Sequence, residues 1–127
     1  MKNFLIFYIA ASTVIFSGSA FADLNDSSAE LCDKVKSCAL AEVKAQGLPE
    51  GMVQMMVGMF EGMCATWVEP YAATVDKAGL EDKAIACIDS VVSESCAALM
   101  KAKGAFRTKE CDEFEQAADE AGVDLGR

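Results

Sequence analysis

The chain has 127 residues, with 20 acidic and 11 basic side chains, six cysteines and no histidine. A net charge of −9 argues against gripping a nucleic-acid backbone, which takes a cationic patch to displace counterions, and against docking on an anionic membrane surface. The missing histidine excludes Ser-His-Asp and Cys-His catalytic arrangements and the familiar zinc patterns.

The first residues read as an export address. Lys2 supplies a positive start, Phe4 to Phe16 is an uncharged and mostly apolar run, and Ser17 to Ala22 ends in the small-x-small pattern Ala20-Phe21-Ala22. That order defines a secretory signal peptide cut between Ala22 and Asp23. The apolar run is shorter than the roughly 20 residues a membrane span requires, so no transmembrane anchor is expected after processing. Residues 1–22 are therefore assigned to a cleavable signal peptide and 23–127 to a single helical domain. The expected location is the periplasm of a Gram-negative host, or the secreted fraction otherwise.

The rest of the chain reads as helix throughout. Ser27-Ser28-Ala29-Glu30 has the form of a capping box, in which the Ser hydroxyl and Glu carboxylate satisfy free backbone N–H groups. It opens a predicted helix from Ser28 to Gln46, closed by Gly47. Pro49 begins a second helix that runs to about Trp67, and Pro70 is expected to break it and start a short helix ending at Gly79. A long helix is predicted from Glu81 to Lys103, with Gly104 as its stop. Thr108 caps a last one that finishes near Gly122. The predicted architecture is all-α: a small disulfide-stapled bundle of four main helices plus one short helix after Pro70.

All six cysteines fall after residue 22, and an even number in a short exported chain points to a disulfide framework. Cys32 and Cys38 are too far apart along one helix to bond, and so are Cys87 and Cys96 if their helix is continuous. Spacing about the turns favours Cys32–Cys64, Cys38–Cys87 and Cys96–Cys111. A rival scheme joins Cys38 to Cys64 and Cys32 to Cys87, following a faint repeat between Ser37–Gly47 and Ser95–Gly104.

The most unusual segment is Gly51 to Cys64, GMVQMMVGMFEGMC, which holds five of the seven methionines. On a helix Met52, Met55, Met56, Met59 and Met63 share an arc of about 100°. Gly51, Gly58 and Gly62 run beside them, with Val53, Val57, Phe60, Cys64 and Trp67 on the other flank. The plainer reading is a buried core helix, since methionine fills irregular gaps and glycine lets a neighbour approach. A second reading is an adaptable groove for a protein partner or a small apolar ligand, formed by Met52, Met55, Met56, Met59, Met63, Phe60 and Trp67. A third is Cu(I) held by the thioethers of Met52, Met55, Met56 and Met59, soft donors that suit a soft ion.

Acidic residues are abundant on the last helix, where Glu110, Asp112, Glu113, Glu115, Asp119 and Glu120 face away from Cys111, Phe114, Ala118 and Ala121. This is a solvated face, or a place for a cationic partner. No acid–base pair stands out, no cofactor is implied, and an enzyme is not expected. The leading expectation is an exported, non-catalytic binding module acting through the methionine-rich helix. The alternatives are a Cu(I)-binding protein and a structural or stress-protective protein without a specific ligand.

Overall fold

The computed structural model describes residues 20–125, with side chains from Asp23 onward. Within them lie five helices and no strand: α1 (Ala20–Ala45), α2 (Glu50–Ala78), α3 (Glu81–Val92), α4 (Cys96–Ala102) and α5 (Lys109–Glu120). Three disulfides staple them. The domain is a small disulfide-stapled all-α bundle. Most of the signal-peptide reading falls on residues 1–19, outside the described residues, and the expected cut after Ala22 falls in the first turn of α1.

Turn chemistry sets several of the helix ends. Gly47 takes a φ of 71° and donates its N–H to the Lys44 carbonyl at 3.0 Å. Gly79 caps α2 at φ 70°, and the Leu80 N–H reaches back to Val75 O, which closes the carbonyls a helix leaves open. Thr108 accepts from the Cys111 N–H at 3.1 Å and so starts α5.

Three features differ from the sequence expectations. The Ser27–Glu30 box lies inside α1 rather than at its start, so those side chains cap nothing. Pro70 does not interrupt α2, which runs for 29 residues straight through it. Proline removes one backbone donor, leaving the Thr66 carbonyl without its usual partner, but both residues are exposed and water can serve that oxygen. The helix beyond Pro70 is held in line because Ala72 and Val75 are fully buried. The break falls instead at Ser93–Ser95, between α3 and α4. There the Ser93 hydroxyl turns back to the Asp89 and Ser90 carbonyls, and Ser95 caps α4 by accepting from the Ala98 N–H at 3.2 Å. Serine competes with the helix for its own backbone groups, and here two of them win.

That break decides the disulfides. Cys32 bonds Cys64, Cys38 bonds Cys96, and Cys87 bonds Cys111. The second and third replace the expected Cys38–Cys87 and Cys96–Cys111 links. Once α3 and α4 are separate rods, Cys96 is free to turn onto α1 while Cys87 stays facing α5. The two cysteines that the faint repeat makes equivalent, Cys38 and Cys96, are bonded to each other.

Helix α1 is the axis, packing on α2, α3 and α4, while α3 also packs on α5. One buried cluster joins Leu24, Ala72, Val75, Ala84, Ile88 and Phe114, and a second joins Cys38, Val91, Leu99 and Cys111.

Candidate functional site

The methionine segment occupies the first half of α2. This half is tied to α1 by the Cys32–Cys64 bond, with Cα atoms 6.0 Å apart, and by a Lys36–Glu61 ion pair at 3.7 Å. Val53 is its only buried residue; from Gln54 to Tyr71 none is buried. The methionines point the other way. Met52 is 48% exposed, Met55 75%, Met59 63% and Met63 57%, and Trp67 continues the row at 62%. Met56 and Phe60 are half-buried at the edge toward α1.

The core-helix reading of this segment is therefore overturned. Its hydrophobic excess looks outward, and the glycines do not admit a neighbouring helix, because a Cβ at Gly51, Gly58 or Gly62 would meet nothing within 4 Å. An exposed apolar row of this kind is uncommon on a monomeric globular chain.

Two cavities lie near the row without including any methionine. One, of about 360 Å³, runs between α1 and α2 on the far flank of the helix and is lined by Ala29, Cys32, Lys36, Phe60, Cys64 and Val68 among others. The second, of about 380 Å³, is bordered by Trp67 at the end of the row, with Tyr71, Phe106, Arg107, Phe114 and Leu125 around the Cys87–Cys111 bond. The expected groove residues thus divide: Met52, Met55, Met59 and Met63 share an outward face, Phe60 lines the α1–α2 groove, and Trp67 stands where the face meets the second cavity.

Trp67 and Tyr71 stack, with ring centroids 5.2 Å apart and planes 9° from parallel. Tyr71 meets Phe114 edge-on at 6.4 Å. Half-burial among these rings pushes the Tyr71 phenol up to about 12, since the phenolate loses more hydration than the neutral form. Phe106, Arg107 and Leu125 were not singled out by the sequence reading. They lie in or beside loops, and only the packing of the 104–108 segment and the chain end against α2 brings them together.

The acidic face of α5 is solvated as expected, with Cys111, Phe114 and Ala118 buried beneath it, although Ala121 is exposed rather than inward. Its ion pairs, Lys109–Glu113 at 3.6 Å and Arg107–Asp112 at 3.7 Å, are between exposed groups and contribute little to stability. Among the described residues no helix is long and apolar enough to cross a membrane, and no three His, Cys, Asp or Glu side chains gather as a metal site. No protein-family model, characterised protein or solved structure matches the chain.

Proposed function

We propose that the protein is an exported, non-catalytic interaction module that presents the Met52–Trp67 face of α2 to the apolar surface of a protein partner. The observation that carries this reading is the exposure of four methionines and the single tryptophan in one uncharged row. Methionine is unbranched and repacks readily, which suits a docking surface. The four methionines line neither neighbouring cavity, and only Trp67, at the end of the row, borders the second, so the methionine stretch offers a small molecule no enclosure, whereas a partner's helix or flat apolar surface can cover it. Three disulfides fit an oxidising compartment, in keeping with the export signal read from residues 1–22.

A photo-crosslinking residue placed at Met55 in the producing cell tests the reading, with Glu113 on the acidic face of α5 as the control position. A discrete protein adduct from position 55 and none from 113 is expected. Equal labelling at both, or none at either, rejects a dedicated face.

A further inference from the structure

We infer that the partner of this face is a second copy of the chain, docked with the two α2 helices antiparallel about a two-fold axis at Met59. This rests on the proposed role of the methionine face and names its occupant.

The first argument is the pattern of residues. A two-fold interface uses the same patch twice, so the patch must match itself when reversed. Counted from Met59, the exposed side chains lie four residues away on either side, at Met55 and Met63, and seven away at Met52 and Thr66, with Trp67 next to the latter. Reversed about Met59, the row falls on itself. Met55 meets the other copy's Met63, and Met52 meets its Thr66 and Trp67. On one flank of the axis the pairing is large against small: Met55 of one helix also lies beside Gly62 of the other, where a Cβ would have nothing within 4 Å.

The second argument is area. About half to three quarters of each of Met52, Met55, Met59, Met63 and Trp67 is open. For side chains of this size that is on the order of 600 Å² per chain, and the intervening Gly58, Gly62 and Thr66 surface brings it close to the roughly 800 Å² per partner of a stable interface.

Charge supplies the third. From Gly51 to Val68 the single charged residue is Glu61, and it is turned toward Lys36 on α1. A cationic partner, which the acidic chain as a whole would attract, finds no carboxylate on this face. Two copies carry the same negative charge and repel at a distance, yet nothing at the contact opposes them. Salt therefore strengthens this association, by screening the bodies without touching the apolar contact.

Sedimentation of the oxidised chain, purified as it is processed on export, tests the inference over a dilution series at low and high salt. A monomer–dimer equilibrium that tightens with salt is expected. Met59→Glu, an exposed substitution on the axis, faces two carboxylates across the contact and weakens the dimer by about ten-fold or more, while Met59→Leu leaves it within about three-fold. Circular dichroism confirms that each variant keeps its helices. Under mild oxidation M59C joins to its own copy, whereas M52C, which faces position 66 of the other helix, does not. Equal cross-linking of both variants overturns the antiparallel register. A monomer at every concentration and salt overturns the dimer. In that case an adduct to a different protein from position 55 still upholds the interaction face, and no adduct removes both.

Discussion

Between Gln54 and Tyr71 no residue of α2 is buried, although the segment carries four of the seven methionines, a phenylalanine and the only tryptophan. The shorter stretch beyond it buries Ala72 and Val75 completely, with Leu24, Ala84, Ile88 and Phe114 around them. The first half of the helix is thus the richer in large apolar side chains and the poorer in packing. It is held by one disulfide, one buried valine and an ion pair, while the second half is held by the core. Burial goes where neighbouring helices reach, and α3 and α5 are placed against the C-terminal half. Small residues there pack closely enough to carry the fold, and the large residues before them are left exposed.

The largest contrast comes from truncating one side chain in each region. Phe114→Ala removes a ring from the core that Val75 and Ala72 share and is expected to cost about 3–5 kcal/mol. Met55→Ala removes a side chain that is 75% exposed and is expected to cost less than about 0.5 kcal/mol. Urea unfolding of both, disulfides intact and dilute enough to keep chains apart, gives the comparison directly. A loss at Met55 approaching that at Phe114 would mean the methionine half carries the fold after all.

Replacing Cys32 and Cys64 together by alanine sharpens the same division. The bond closes a loop of 32 residues, and its removal is expected to cost about 3–4 kcal/mol. The loss is also expected to be local. Amides from Val53 to Cys64 should lose hydrogen-exchange protection well before those of α3 and α5, because the core cluster includes none of them. Uniform loss across all five helices would show that the two halves of α2 do not open separately.

What could be read from the sequence follows the range of the interactions involved. Gly47, Gly79 and Thr108 act within a few residues of themselves, and each stands where its local chemistry puts it. The all-helical class and the covalent framework were equally legible, from periodicity and cysteine number. Pro70 misled because its local cost is outweighed by Ala72 and Val75, whose burial depends on distant partners. Ser93 and Ser95 carried a capping signal that the periodicity across Glu81–Lys103 masked, and the disulfide pairing followed from that break. The methionine arc was visible, but which way it faced was not. Hydrophobicity marks a helix side as apolar, and only the position of the other helices says whether it is covered.

Tyr71 stands at the junction of the two halves and reports on both. It is the only tyrosine after residue 22 and lies against the only tryptophan. Its phenol is raised from 10.0 to about 12, so the folded chain keeps a proton that the unfolded chain gives up. The stabilisation is therefore fully present below pH 10.0 and is lost as the pH rises through about 12. Tyrosinate absorbance should appear late in the folded protein, together with quenching of Trp67 fluorescence, and at the ordinary pH in denaturant. In Tyr71→Phe the decline in stability over this window should be shallower. A native titration at the ordinary value would mean that the junction is open to water.

The smallest effect is expected where sulfur is exchanged for carbon on the outward face. Replacing Met55, Met56 and Met59 together by leucine keeps the apolar volume and removes three thioethers, and exposed or half-exposed sites of this kind should shift stability by less than about 1 kcal/mol in total. If the face works by shape and hydrophobic contact, the triple variant keeps the dimer and the crosslinking pattern, and Cu(I) titrated against a competing chelator behaves alike for both proteins. Binding tighter than micromolar in the native chain that vanishes in the variant would instead assign the row to the soft metal, since leucine can replace methionine in packing but donates no lone pair. The convex placement of Met52, Met55 and Met59 outside either cavity favours the first outcome: a buried ion needs donors that converge, and these diverge along two turns of helix.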